Sequence, residues 1–440
     1  MMGSCQTDIR CRLIMTTTLS ATDVSARQII DSSSIVTFFQ PILSARQRSV
    51  VGAEALSRGL VGVEAMTRGS ASARDRTGTI IPPVDLFRMA ASEGLLLELD
   101  RLCRDTAIRS FAQLPRHEEL ILFLNFDGAS IEQDPDVLNH TLTRIAEAGL
   151  SPRNVAIEIL ETAFDDASVL SSRMSAFRER GFLLVLDDVG TGHSNLDRVP
   201  LIQPDVLKLD RSLIKDIESD YHKQETFKSL VQLARRIGSI IVAEGVETQQ
   251  QAMIALELGA DLLQGMFLGR PENVDAFAGG EMSARIDALA RRYKAYMISR
   301  INARKLQHRR FNIILNQILC ELSKVTAAEF DDVLQTTLCQ YDNVECVYVM
   351  DESGTQISET VMNHRIPARN KGIMFRPAPR GADHSLKEFY YVLLDVELQK
   401  YTTDPYVSLA TGNLCRTIST CFRDSHNNKM YILCIDILCQ

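Results

Sequence analysis

A chain of 440 residues is too long for one ordinary domain, and two or three are expected. Its apolar and charged fractions, 45% and 24%, are ordinary for a soluble globular protein; no apolar run is long enough to span a bilayer, and no signal-peptide pattern follows Arg10 and Arg12. A net charge of −8 offers no basic footprint for DNA, and ten cysteines without one CxxC pair exclude a zinc ribbon and read as reduced, buried thiols of a cytoplasmic protein, Cys320, Cys346 and Cys434 among them.

Residues 1–30 read as a tail. From about Ile35 to Phe267, short β-rich runs alternate with longer helical patterns such as Thr226–Ile237 and Thr248–Leu258. Eight strand candidates follow in order: Val36–Leu43, Ser49–Leu56, Leu120–Phe126, Asn154–Leu160, Phe182–Asp187, Val206–Leu209, Ser239–Ala243 and Leu262–Leu268. That alternation predicts a (β/α)8 barrel, a fold of about 250 residues. Ser44–Arg48 is too short to hold a helix, so the first two strands should pair antiparallel and the barrel is of a modified kind. Residues 51–59 and 61–69 form a tandem repeat, and the Ser/Arg/Gly-rich stretch after it, up to Ile80, reads as a loop or lid.

A long Arg/Lys-rich helical pattern runs from Met282 to about Leu322, with apolar positions at Ile286, Leu289, Ile298, Ile301, Ile314, Ile318 and Leu322. It reads as a connector with a solvated charged face that takes part in dimerisation. Beyond Ala327, Cys346–Met350, Tyr390–Asp395, Thr417–Phe422 and Tyr431–Ile437 read as strands, with turns at Asp351–Thr355 and Arg423–Lys429. Antiparallel strands joined by turns suggest a small α+β domain.

The barrel strands carry acids at their ends. Glu54 ends the second, Asn125 lies near the end of the third, and Glu158 is in the fourth. Asp187 and Asp188 close the fifth, and Lys208 and Asp210 the sixth. Glu244 follows the seventh, with Glu247 three residues on, and Gln264 sits in the eighth. C-terminal strand ends of such a barrel share one face, so these residues are expected at a single mouth. Two like charges 4 Å apart repel by about 4 kcal/mol at an effective dielectric near 20, so the cluster calls for cations. Hard oxygen ligands select Mg²⁺ or Mn²⁺, and the Asp187–Asp188 pair suits two ions, as in phosphodiester hydrolysis.

The run FFQPILSARQRSVVGAEALSRG, with Glu54-Ala55-Leu56, resembles the opening of EAL domains. LFLNF, VAIEILET, LVLDDVGTGHSNL, DVLKLD, VAEGVET and LLQGMFLGRP follow in that family's order, over roughly residues 35–275. The resemblance implies a barrel that opens one phosphodiester of cyclic di-GMP to linear pGpG with two Mg²⁺ or Mn²⁺ ions. It implies that Glu54, Asn125, Glu158 and Asp187 hold one metal, and Asp187, Asp188 and Glu244 the other. By the same resemblance Lys208 stands beside the attacking water, as a general base or an electrostatic aid. Glu247 steadies the loop after Asp187–Asp188, and Gln40, Arg58, Asp210 and Gln264 meet the substrate. Two departures stand out. Val189 replaces the usual phenylalanine, and Gly192-His193-Ser194-Asn195 replaces Gly-Tyr-Ser-Ser, in a loop implied to couple the metals to dimerisation. His193 stands for a tyrosine and reads as a loop residue. Glu64-Ala65-Met66 copies the signature imperfectly; Glu54 keeps the spacing to Gln40 and takes the metal, while exchange of the two copies in one strand slot is the alternative.

The expected domains are therefore a tail (1–30), an EAL barrel (31–280), a connecting helix (281–324) and a C-terminal domain (325–440) that resembles PAS-like or Cache-like sensors. Tyr406, Thr411, Arg416 and Asp436 either line a pocket for an unidentified small-molecule or protein signal or belong to a filled dimerisation module. An active phosphodiesterase is expected; a cyclic di-GMP receptor that signals by conformation is the alternative.

Overall fold

The computed structural model describes residues 25–61, 79–126, 128–159, 167–190, 195–277, 281–369, 372–394 and 398–439. Glu64-Ala65-Met66, most of the Ser/Arg/Gly-rich stretch and His193 lie outside them. The chain divides between Ile298 and Ser299 into two compact units.

The first unit is built on nine strands: β1 (Ile35–Ser44), β2 (Ser49–Val61), β3 (Thr79–Ile81), β4 (Ile121–Phe126), β5 (Val155–Ile159), β6 (Leu183–Val189), β7 (Val206–Leu209), β8 (Ile240–Ala243) and β9 (Leu262–Leu263). Eight of them close a barrel in the order β1-β2-β4-β5-β6-β7-β8-β9, while β3 pairs outside it with the end of β2. β1 runs antiparallel to both neighbours and the remaining barrel contacts are parallel. The short Ser44–Ser49 link makes this possible: Arg48 adopts φ 57, and a tight hairpin replaces a crossover helix.

Helices form the outer layer. Leu96–Phe111 buries Leu99, Cys103, Ala107 and Phe111, a stripe at four-residue spacing. Tyr221–Ile237 begins where Asp220 accepts the backbone N–H groups of His222 and Lys223, and stops at Gly238 with φ 81. Gln249–Leu258 starts in a reciprocal cap between Thr248 and Gln251. Between helices and sheet lies the main core, which includes Phe126, Phe177 and Phe182 with ring centroids 5.7 and 5.3 Å apart. A second core fills the barrel interior: Ile42, Phe123, Ala156, Val185, Val206, Val242 and Leu262. Gly52 completes this floor, because a Cβ there would meet the Phe123 ring at 2.7 Å and the Ile121 carbonyl at 2.5 Å.

A helix of 42 residues, Glu281–Leu322, begins in the first unit, where Ile286 and Leu289 are buried, and ends in the second. There Ile314, Leu315, Ile318 and Leu322 join a core with Phe330, Leu334, Val347, Val349, Leu433 and Ile435. This core covers one face of a six-stranded antiparallel sheet of β10 (Val344–Asp351), β11 (Val361–Met362), β12 (Lys400–Thr402), β13 (Tyr406–Val407), β14 (Leu414–Arg423) and β15 (Met430–Leu438). Its order is β11-β10-β15-β14-β12, with β13 on β14. The other face carries Tyr348, Met350, Ile432 and Cys434 against Phe389 and Leu393.

Three expectations change. Tyr390–Asp395 is not a strand: Glu388–Leu394 is helical, and Phe389 and Leu393, four residues apart, reach the same buried cluster. Helical spacing of the buried pair overrides the β-preference of Tyr and Val. The strand expected over Leu262–Leu268 ends at Leu263. Gly265, at φ 155, lies so close to Val246 that a Cβ would be 2.2 Å from its backbone, which bends the chain away from the ladder. Cys320 is exposed, since Leu315, Ile318 and Leu322 take the buried side of its helix. Cys103, Cys346, Cys415 and Cys434 are buried free thiols as expected.

His384 makes the second unit sensitive to acid. Its ring stacks on Tyr348 at 5.0 Å, and Nε2 lies 2.8 Å from Gln356 Oε1. Burial, aided by the nearby Lys387 charge, lowers its pKa from 6.5 to about 4. Above 6.5 both folded and unfolded chains hold a neutral ring and the stabilisation is complete. As pH falls from 6.5 towards 4, the unfolded chain takes up a proton that the folded one refuses, and stability is lost. The melting temperature of this unit should therefore drop over that window, and His384→Gln should flatten the drop. Parallel Tm–pH curves for the two proteins would contradict this account.

Candidate active site

Side chains two residues apart in a strand point the same way, so each floor residue has a partner one layer nearer the mouth. In β4–β8 and β2 these partners are Asn125 above Phe123, Glu158 above Ala156, Asp187 above Val185, Lys208 above Val206, Glu244 after Val242 and Glu54 after Gly52. Gln264 follows Leu262 in the same way, and on the reversed strand Gln40 precedes Ile42. An apolar floor thus carries a polar layer with one residue from each of the eight barrel strands or its end.

Lys208 stands at the centre. It is 1% exposed, and its Nζ lies 2.6 Å from Glu244, 2.7 Å from Glu158, 3.2 Å from Glu54 and 3.3 Å from Asp187. Gln264 Nε2 donates to Glu54 Oε2 at 2.5 Å and to Gln40 Oε1 at 3.2 Å, while Asn125 Nδ2 donates to Glu54 Oε1 at 3.0 Å. β6 carries a bulge here: Leu186 pairs with Leu207 and Val189 with Leu209, so Asp187 and Asp188 together oppose Lys208. Asp188 takes φ 54 to do this, a left-handed conformation that Asp tolerates better than most residues. The oxygens of Asp187, Asp188 and Glu244 all lie within 4.8 Å of one another.

The electrostatics follow from burial. Desolvation raises the pKa of Glu158, Glu244 and Asp187 against the opposing pull of Lys208, and it pushes Asp188 to about 6, with the Asp187 charge second. Glu54 is also desolvated, but Lys208 and its two amide donors outweigh this and hold its pKa low. Desolvation would lower Lys208; four surrounding carboxylates raise it well above the ordinary value instead. Among the described residues, one ammonium against four buried carboxylates leaves the polar layer short of positive charge, and both Glu158 oxygens and Glu244 Oε1 lack an aligned hydrogen-bond donor. The donor atoms are carboxylate and amide oxygens, so the set fits hard divalent cations.

The remaining expected residues sit further out. Arg58 follows Glu54 by four residues on the same face of β2. Asp210 caps the turn after β7 by accepting the Ser212 N–H at 2.8 Å. Glu247 is half exposed and pairs with Arg211 at 2.8 Å; the loop it was expected to steady lies outside the described residues. Val189 is buried in the main core at the end of β6.

Sequence reasoning missed Asp100 and Arg104. Each is 2% exposed, they form an ion pair, and the Arg104 guanidinium lies 4.4 Å from the Phe126 ring centre. With Ser57, Phe87 and Asn125 they line a cavity of about 360 Å³ beside the acids. The signal was available: two opposite charges four apart, next to the stripe of Leu99, Cys103 and Ala107, can be buried together as a pair.

A family model for the EAL domain matches residues 23–271, more than half of the chain. The chain belongs to the EAL domain family. Over 273 residues it is 30% identical to the cyclic di-GMP phosphodiesterase NbdA of Pseudomonas aeruginosa, covering 60% of this chain and 32% of that one. Over 404 residues it is 25% identical to the EAL-domain protein YkuI of Bacillus subtilis, covering 88% and 91%. The YkuI crystal structure, a complex with cyclic di-GMP and calcium, superposes with a TM-score of 0.74 at 22% identity, over 95% of this chain and all of that one. The chain spans about a third of the length of the first curated relatives it matches, NbdA included; YkuI is matched over nearly its whole length. Among the described residues of this EAL protein, no helix is long and apolar enough to cross a membrane.

Removing the central ammonium tests this account of the EAL barrel without an activity assay. Lys208→Met should cost about 3–5 kcal/mol in EDTA, the usual result of stripping one partner from a buried ion cluster. Urea unfolding measures it, and a loss under about 1 kcal/mol would show that the carboxylates discharge by taking up protons.

Proposed function

We propose that this chain hydrolyses one phosphodiester of cyclic di-GMP, releasing linear pGpG. The observation that carries the reading is the polar layer on the barrel floor, where four carboxylates, three amides and one ammonium converge from eight strands. The names of NbdA and the YkuI complex agree with this chemistry.

Glu54, Asn125, Glu158 and Asp187 would hold one Mg²⁺ or Mn²⁺ ion, and Asp187, Asp188 and Glu244 the second. Bound there, the ions supply positive charge for the phosphate and lower the pKa of water. The protein's own residues do the rest. Arg58 offers a guanidinium that grips a phosphate through two N–H groups. Gln264 donates to both Gln40 and Glu54, and so fixes the Glu54 carboxylate that would face the phosphodiester. Lys208, crowded by acids, keeps its proton at Nζ and acts as a hydrogen-bond donor. The cavity beside Asn125 has the size and the aromatic wall for a planar base, and the Asp100 carboxylate at its edge is an acceptor for base N–H groups. Asp210 and Glu247 hold the loops after β7 and β8, Glu247 through Arg211.

The domain plan goes with this function: a barrel at 31–280, a connecting helix at 281–324 and a PAS-like regulatory domain at 325–440, in a cytoplasmic homodimer. A relative that matches 91% of its own length with 25% identity supports a shared two-part plan.

Hydrolysis by the purified full-length chain with Mg²⁺ and with Mn²⁺ should give pGpG. Glu54→Ala should lose more than the roughly 100-fold that even an outer-shell partner of a metal costs. Chromatography of the product decides it. Tight binding without product would instead make the chain a cyclic di-GMP receptor.

A further inference from the structure

The second unit buries a cluster of acids and thiols that the barrel chemistry does not use. Val344 pairs with Ile437 and Cys346 with Asp436, so Glu345 is the extra residue of a bulge in β10. The bulge turns Glu345 towards the same spot as its neighbour Cys346. Glu345 and Cys415 are wholly buried, Cys346 is 1% exposed and Asp436 is 5% exposed. The donor atoms of Glu345, Cys346 and Asp436 lie within 4.8 Å of one another, and Cys415 Sγ is 3.0 Å from Glu345 Oε2.

Local donors surround both carboxylates. Thr411 and Asn413 donate to Glu345, and Thr417 and Tyr406 to Asp436, at 2.6–3.0 Å. Yet among the described residues neither acid has an ion pair. Two adjacent carboxylates out of water without a cation are costly. Ser419 Oγ, wholly buried and with no hydrogen-bond partner among the described residues, lies on the same sheet face, two residues after Thr417 and opposite Cys434. A buried hydroxyl of that kind calls for a polar partner on this face.

We propose that Glu345, Cys346, Asp436 and Cys415 form a binding site for a zinc-class divalent cation. Two thiolates with two carboxylates are a borderline-soft set, unlike the all-oxygen barrel mouth, and select zinc over magnesium. On binding, the Cys346 and Cys415 thiol protons leave to solvent as the sulfurs coordinate. One divalent ion thus replaces two protons, the net charge of the site is unchanged and the gain is metal–ligand bonding, while Thr411, Asn413, Thr417 and Tyr406 hold the carboxylates as an outer shell. The ligands come from three strands, so no CxxC spacing announces them.

Cobalt(II) titration of the metal-free full-length protein tests this. Thiolate–cobalt coordination produces near-ultraviolet charge-transfer absorption, which the carboxylates and amides of the barrel's polar layer cannot give. The expected result is such a band at one ion per chain, lost in Cys346→Ser and in Cys415→Ser, kept in Glu54→Ala, and quenched by one equivalent of zinc. No band in the unmodified protein would overturn the proposal, whatever happens at the barrel. A band that survives Cys346→Ser with Cys415→Ser would overturn it too, by assigning the metal to another thiol such as exposed Cys320.

Discussion

The barrel mouth is governed by a shortage of positive charge around Lys208. One ammonium, sealed from water, meets four carboxylates, and each arrives on a different strand. That arrangement can exist only because the parallel ladder from β2 to β8 keeps neighbouring strands in register, so that Asn125 stands beside Glu158 and Glu158 beside Val185, two residues before Asp187. The apolar floor beneath serves the same end. Phe123, filling the space that Gly52 leaves open, keeps water from reaching the acids from below and so maintains the low dielectric that makes their charges matter. Cation binding at such a mouth draws on electrostatic energy already present in the folded protein.

Much of this is legible in the amino-acid sequence. The βα rhythm and the short link at Ser44–Arg48 pointed to a barrel with a reversed first strand, and acids at successive strand ends pointed to one face. What escaped was whatever depends on a break in regular pairing. Asp187 and Asp188 share a face only because of a bulge, which no period-two pattern contains. Gln264 leaves the strand because Gly265 must pass Val246, a contact between segments 19 residues apart. Glu388–Leu394 has strand-like composition and becomes a helix through its burial against β10 and β15. Asp100 and Arg104 were readable as misplaced charges on a buried stripe, but only once the stripe itself was drawn.

The two units use the same device for different ends. In each, a bulge adds one residue to a strand and brings consecutive side chains to one polar point: Asp187–Asp188 in the barrel, Glu345–Cys346 in the sheet. The first gathers oxygens alone; the second mixes oxygen with sulfur. Regular strands build the cores of both units, and the irregular positions gather their buried polar side chains.

The reversal of β1 has a consequence for how the molecule is wired. In a regular barrel the chain enters its first strand at the face opposite the reacting groups. Here Gln40 faces Glu54 near the mouth and Ile42 lies deeper, so the polypeptide enters from the acid-lined side. The helix Ala26–Asp31 is consequently packed against Leu86, Leu95 and Leu99, on the helices that wall the cavity beside Asn125. Residues 25–34 are therefore brought to the acid-lined rim of the barrel, which makes this lead-in a neighbour of the mouth rather than of the floor.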